Sequence, residues 1–357
     1  MTASSTRLDH VRSQAGHALQ AFLRRQRDVL LSAGEELLPG LEAMTGLLAG
    51  GKRLRPAFCY WGWRGAGGGD CPEILSAAAA LELLHASALV HDDVMDASDT
   101  RRGQLSVHRQ FAARHTRERW RGSAQSFGAG AAILLGDLLL CWTDEMFRSS
   151  GLATDALLRG QPVLDRMRTE VMAGQYLDML AQATGDASLE SALRVAEHKS
   201  AKYTIERPLH LGAAMAGPAD LAEVDAAFSA YGLPLGVAFQ LRDDILGVFG
   251  DPAQTGKPAG DDVREGKRTV LLAITMARAT PQQASLISRR LGDPLLDAAG
   301  TAQVRSVIVK TGALAECEQM INRNVARALG ALKEAPITAE ARDALAELAV
   351  AATARHD

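Results

Sequence analysis

From about residue 8 to residue 354, apolar side chains return at three- and four-residue spacing with few interruptions, and β-branched alternation is scarce. That period fits the 3.6-residue turn of an α-helix rather than the two-residue repeat of a strand, so the chain is expected to be all-α. Helices are predicted at roughly 8–33, 37–49, 53–64, 73–97, 124–149, 153–183, 188–216, 219–249, 267–279, 282–292, 296–311, 313–333 and 338–354. The breaks fall where Gly and Pro cluster, at "GAGGGDCP" (65–72), "GDPAQTGKPAGDD" (250–262) and "GDP" (292–294). Pro162 and Pro234 lie inside helical patterns and are expected to kink them. No hairpin dipeptide separates alternating strands, no fixed period repeats, and no linker is long or polar enough to separate domains. One all-α domain over residues 8–357 is expected, preceded by a frayed terminus over residues 1–7.

Composition removes several function classes. Hydrophobic residues make up 47% of the chain and charged residues 23%, enough for a large core and too apolar for global disorder. The formal net charge is -3 with no long basic run, unlike a surface that gains affinity by neutralising nucleic-acid phosphates. Cys59, Cys71, Cys141 and Cys317 are far apart and form no metal or redox spacing, so they read as reduced thiols. The N-terminus lacks the apolar centre of a signal peptide. The most apolar stretch, "AGAAILLGDLLLCW" (129–142), is too short for a membrane span and carries Asp137. A soluble, cytoplasmic protein is expected.

The chemistry concentrates at two helix ends. In "LVHDDVMDASDTRRG" (89–103), Asp92 and Asp96 are four residues apart and so share a helix face, with Asp93 beside them. Like charges at that spacing repel, and at a helix C-terminus they also meet the unfavourable end of the macrodipole. Read alone, this is a solvated helix end neutralised by Arg101 and Arg102, or else a cation site. "GVAFQLRDDILGVFGDP" (236–252) repeats the arrangement with Asp243 and Asp244. Carboxylates without His or Cys are hard oxygen donors that suit Mg²⁺, which completes its shell with water and substrate phosphates. Cations cluster in loops: Lys52, Arg53 and Arg55 in "GGKRLRP" (50–56), and Lys257 and Lys267 in "TGKPAGDDVREGKRT" (255–269). They have the character of phosphate clamps. Neither loop is a nucleotide P-loop, because Arg53 and Pro258 stand where Ser or Thr would hold a metal.

These segments occur in the order "GGKRLRP", "LHASALVHDDVMDASDTRRG", "GDLLL" (136–140), "GQYLD" (174–178), "HKS" (198–200), "FQLRDD" (239–244) and "GKPAGDD" (256–262). In that order, from about residue 45 to 270, the chain resembles the trans-isoprenyl diphosphate synthases, and most of all a bacterial geranylgeranyl diphosphate synthase. The resemblance implies a helical bundle of the isoprenoid synthase type around a central active-site cavity. It implies Mg²⁺ on Asp92, Asp93 and Asp96 and, opposite them, on Asp243 and Asp244, with three ions in all and Mn²⁺ as a substitute. Lys52, Arg55, His85 and Arg102 would hold isopentenyl diphosphate, and Arg101, Lys199, Lys257 and Lys267 the allylic diphosphate. Ser200 and Gln240 would sit beside the carbocation and the leaving group. Ionisation, condensation and proton loss then need stabilised diphosphate charge and exclusion of water. A homodimer is also implied.

Product length and one departure complete the reading. The growing chain is expected to run back along the 73–97 helix, whose turn of about 5.4 Å matches one isoprene unit. Ser87 and Ala88 are small where family members that stop at farnesyl diphosphate carry an aromatic, and Leu84 and then Leu81 form the next floors. Geranylgeranyl diphosphate is the expected product, with farnesyl or longer chains as alternatives. The second acid motif departs from DDxxD: it reads "DDILG", with Gly247 in the last position. A non-catalytic partner subunit is therefore one rival, and a terpene cyclase, which needs no isopentenyl diphosphate clamps, is another.

Overall fold

The computed structural model describes residues 3–251 and 260–353. Lys257 lies outside the described residues. By internal contacts the chain forms two compact units, Met1–Gln161 with Leu211–Pro218, and Pro162–His210 with Ala219–Asp357.

The first unit opens with α1 (Ala3–Ala33), which starts five residues before the helix read from sequence. After α2 (Leu38–Ala49) and α3 (Leu54–Gly65) comes α4 (Pro72–Met95), the core helix. Pro72 at its first turn is preorganised for helix entry, and the alanine run that follows has the highest helix propensity. Ala77, Ala78, Ala79, Ala80, Leu81 and Leu83 are fully buried, packed by α1, α3 and the later helix Ala124–Arg148. The helix stops at a left-handed Ala97 (φ 53°): Ala97 N–H donates to Val94 O and Ser98 N–H to Asp93 O. That Schellman pairing satisfies the last carbonyls without a glycine.

Two features next in the chain, a ribbon and a short helix, were not anticipated. Thr100–Arg101 (β1) and Gln104–Leu105 (β2) form a small antiparallel ribbon. Arg102 (φ 54°) and Gly103 (φ 74°) both take the positive φ that a two-residue type I′ turn requires. α5 (Val107–Arg117) follows, a short and mostly polar helix that buries Val107 and His115. α6 (Ala124–Arg148) matches the helix expected over 124–149. By length and composition alone α4 and α6 could each cross a membrane, but 72% of the apolar window of α4 is buried inside the protein, as in a core helix; for α6 the share is 33%. α7 (Thr154–Thr184) runs through Pro162, where the unit boundary falls.

In the second unit the single helix expected over 188–216 is three segments. These are α8 (Leu189–Val195), a π-helical stretch Ala196–Glu206, and α9 (Arg207–Ala216), whose last residues belong to the first unit. α10 (Leu221–Phe249) continues through Pro234 and packs on the π-helical stretch. Gly236 lies directly on Ala201, where any side chain would strike backbone. The short α11 (Asp261–Glu265) precedes α12 (Val270–Arg278), α13 (Pro281–Arg290), α14 (Ala298–Lys310), α15 (Ala313–Leu332) and α16 (Ala339–Thr353). Phe228, Tyr231, Leu235 and Leu241 of α10 form its buried side. The four cysteines are free.

Candidate active site

In the first unit, His91, Val94 and Met95 of α4 keep some exposure, and so do His85, Ala88, Leu89, Asp92 and the cap Asp96, which form one stripe. Their offsets of three, four, seven and eleven place them on a single helix face. Asp92 and Asp96 thus share an accessible face, as expected. Asp93 does not join them. It is buried, and Arg101 reaches back from the ribbon to it, with Nε 2.9 Å from Oδ1 and a second, shorter bond from Nη2. The same guanidinium stands 3.6 Å from Asp92 Oδ2. Asp93 therefore anchors Arg101 at the acid end, and Arg101 partly offsets the repulsion there.

The other cations assemble around His85. Arg53, left-handed at φ 53°, forms a buried pair with Glu82 at 2.5 Å and also donates to Leu48 O. It is thereby consumed structurally. Arg102 donates to Leu47 O (2.5 Å) and Gly50 O (3.0 Å), closing the carbonyl end of α2, where a basic group also suits the helix dipole. Gly50 and Gly51 leave room for its guanidinium. Lys52 is exposed and Arg55 partly so. Burial, then the charges of Arg55, Arg102, Arg101 and Arg53, hold the His85 imidazole well below its ordinary value. His85 is thus neutral at physiological pH inside a ring of guanidinium groups, a setting made for an anion. Ser87 and Leu84 are buried, and Leu81 wholly so. Ser87 lies five residues before Asp92, about 140° around the helix from it, whereas Ala88 lies on the open stripe.

In the second unit, the π-helical stretch carries Lys199 and Ser200. Lys199 Nζ is 2.6 Å from Asp178 Oδ2, on α7. Lys202 instead pairs with Glu197 at 3.1 Å. Ser200 donates a short hydrogen bond to Gln240 Oε1, and Gln240 Nε2 donates to Asp244 Oδ1 at 2.7 Å. Ser200, Gln240 and Asp244 thus form one relay. Burial pushes the Asp244 carboxyl up to about 8, opposed by the bond from Gln240 and reinforced by Asp262 and Asp243. Lys267 sits 2.8 Å from Glu265. Glu82 and Asp262 escaped the sequence reading. A buried acid within an apolar helix was the available signal for Glu82; Asp262 ends the "GKPAGDD" segment, which by itself assigned it no role.

Among the described residues no three His, Cys, Asp or Glu side chains converge as a ready cage for a metal. A structural zinc site takes four protein ligands, usually with His or Cys among them. Mg²⁺ fits better, because one or two carboxylates suffice and phosphate oxygens supply the rest. Asp92 and Asp96 on an open face, and Asp243 and Asp262 near enough to raise the Asp244 carboxyl, are a donor set of that kind.

Comparison with known proteins agrees. The polyprenyl synthetase family matches residues 41–308. The geranylfarnesyl diphosphate synthase of Aeropyrum pernix is 33% identical over 303 residues, 83% of this chain and 88% of that protein. The geranylgeranyl diphosphate synthase of Saccharolobus solfataricus is also 33% identical, over 69% and 68% of the two chains. A crystal structure of geranylgeranyl pyrophosphate synthase from Corynebacterium glutamicum, complexed with isoprenyl diphosphate and magnesium, superposes with a TM-score of 0.94. It is 41% identical and covers 98% of this chain and 99% of that one. The chain belongs to the polyprenyl synthetase family of prenyltransferases.

Proposed function

We propose that this chain condenses isopentenyl diphosphate with dimethylallyl, geranyl and farnesyl diphosphates and releases geranylgeranyl diphosphate. The observation that carries the reading is the end of α4, where an accessible acid pair, Asp92 and Asp96, adjoins a neutral His85 ringed by arginines. One side of that end attracts a cation and the other a diphosphate. The Corynebacterium neighbour, crystallised with magnesium and isoprenyl diphosphate, supports the same pairing. Lys52, Arg55, His85 and Arg102 then orient isopentenyl diphosphate, while Arg101, Lys199, Lys257 and Lys267 act on the allylic diphosphate. Asp92, Asp96, Asp243 and Asp244 would hold Mg²⁺, which supplies charge neutralisation to the departing diphosphate. Ser200 and Gln240 present a fixed dipole beside the nascent cation, and the apolar wall of α4 keeps water away from it.

A cytoplasmic homodimer completes the proposal, with α6 as the contact, since only a third of its apolar window is buried by its own chain and Ile133 and Leu134 stand exposed. A longer product is the second reading. The floor of the stripe is Leu81 rather than an aromatic, and the Aeropyrum relative is named for a longer chain. The test is incorporation of labelled isopentenyl diphosphate into acid-labile product with an allylic primer and Mg²⁺. Incorporation should vanish in EDTA and return with added Mg²⁺, and Asp92→Ala or Asp243→Ala should lower kcat by about 100-fold or more, the scale of losing one electrostatic element of the transition state. Full turnover in EDTA would refute the reading.

A further inference from the structure

The turn that joins α5 to α6 gathers charge of one sign around a tryptophan. Residues 107–123, "VHRQFAARHTRERWRGS", hold five arginines (Arg109, Arg114, Arg117, Arg119 and Arg121) against one acid, Glu118, in a chain whose formal net charge is -3. Arg109 pairs with Asp99 at 2.6 Å and Arg117 with Glu118 at 3.0 Å. Arg114, Arg119 and Arg121 take part in no ion pair among the described residues. Arg114 lies instead over the Trp120 ring, 5.7 Å from its centroid, as a cation–π contact. The backbone holds this shape. Arg119 is left-handed at φ 53°; its N–H donates to Thr116 O and that of Trp120 to His115 O, both at 3.2 Å. The buried His115 ring bonds the Arg121 carbonyl at 3.0 Å. Trp120 stands edge-on to Phe127 at 5.1 Å and to His115 at 5.9 Å between centroids. Even so, 43% of Trp120 stays exposed, whereas Trp61 and Trp142 are buried.

We propose that this turn docks the protein on an anionic lipid bilayer, with Arg119 and Arg121 against the lipid phosphates and Trp120 at the level of the headgroups. A bilayer surface matches both halves of the patch. Clustered arginines are drawn to an anionic leaflet. An indole, apolar in body with one N–H donor, settles where lipid meets water. A second copy of the chain fits less well, because a two-fold contact would set these like-charged turns against each other. Nucleic acid would use the charge, but base stacking needs an open ring face, and Arg114 already lies over one face of Trp120. The product of the proposed function adds a reason for such a surface, since a twenty-carbon chain with a diphosphate head is an amphiphile that partitions into lipid. The docking itself rests on the turn and not on that product.

Cosedimentation of the full-length protein tests this, with vesicles of phosphatidylglycerol and phosphatidylcholine in equal parts and with vesicles of phosphatidylcholine alone. Binding to the first and not the second is expected, weakening as salt is raised. Arg119→Gln combined with Arg121→Gln should weaken binding roughly 25-fold, since each arginine near an anionic leaflet is worth about fivefold. Its Tm, and its incorporation of labelled isopentenyl diphosphate in vesicle-free solution, should stay at wild-type values. Anionic vesicles should shift the tryptophan emission of wild type to the blue, and Trp120→Phe should bind more weakly and show no shift. No binding, equal binding to both kinds of vesicle, undiminished binding by the arginine variant, or a blue shift that survives in Trp120→Phe would overturn the proposal. A wild-type dimer that the arginine variant turns into a monomer in light scattering would give the turn to a second copy. Tighter binding to a single-stranded oligonucleotide than to the anionic vesicles would give it to nucleic acid. Either result also overturns the docking.

Discussion

The guanidinium of Arg53 meets the carboxylate of Glu82 at 2.5 Å, and both side chains are almost wholly buried. This pair fixes the loop that presents Lys52 and Arg55 against the core helix α4. Removing one partner of a buried pair strands the other charge, which costs about 3–5 kcal/mol. Glu82→Ala is therefore expected to lower the unfolding free energy by about that amount in urea titrations. Glu82→Gln, which keeps a hydrogen-bond acceptor, should cost less. A change in Glu82→Ala no larger than that of an exposed substitution would show that the pair is dispensable.

His85 gives a pH signature. Its folded pKa is lowered below the ordinary 6.5, mainly by burial and then by the arginines around it. As pH falls through the unfolded value the unfolded chain takes the proton first, so the stability contributed by His85 is present above that value and lost below it. The unfolding free energy of wild type should thus fall between about pH 6.5 and pH 5, and His85→Gln should flatten the slope by up to about 1.4 kcal/mol per pH unit. Identical slopes for the two proteins would mean that His85 titrates normally.

Product length should respond to the face of α4 that carries Ala88 and, one turn below His85, the buried Leu81, and not to the face that carries Ser87. Ala88→Phe is expected to shift the product to farnesyl diphosphate, and Leu81→Ala to lengthen it, both read by mass spectrometry of the dephosphorylated alcohols. Ser87→Phe, placed at a buried position, should instead destabilise the fold by about 1–3 kcal/mol through overpacking. A Ser87→Phe protein that folds normally and shortens the product would put the prenyl chain on the other face.

Much of this architecture was legible from residues alone, for physical reasons that also explain the gaps. The long helices showed themselves because alanine and leucine recur at helical spacing over many turns, and α4 and α10 announced their acid ends by charge at a helix C-terminus. α5 stayed hidden because "VHRQFAARHTR" has few apolar positions to set a period. The ribbon at 100–105 depends on one positive-φ pair, Arg102 and Gly103, and the arginine there gave no turn signal. The widening to a π-helix around Lys199 leaves no mark in a pattern of apolar spacing. At the site, residue types were readable but their pairing was not. Which arginine is consumed by Glu82, and that the Asp262 carboxylate lies against Gly247, are contacts between different segments of the chain.

The uncovered face of α6 makes a separate prediction about assembly. Leu134 is 70% exposed and Ile133 46% exposed on a helix of high hydropathy. Light scattering at micromolar concentration should report a dimer, and Leu134→Glu should give a monomer. A wild-type monomer under those conditions would reject α6 as the contact.

The most direct measurement is the product itself. Purified protein is incubated with isopentenyl diphosphate, dimethylallyl diphosphate and Mg²⁺, and the hydrolysed products are separated by chain length. Geranylgeraniol as the main species is the expected result. No chain elongation, or a cyclised hydrocarbon in its place, would contradict a prenyl diphosphate synthase outright.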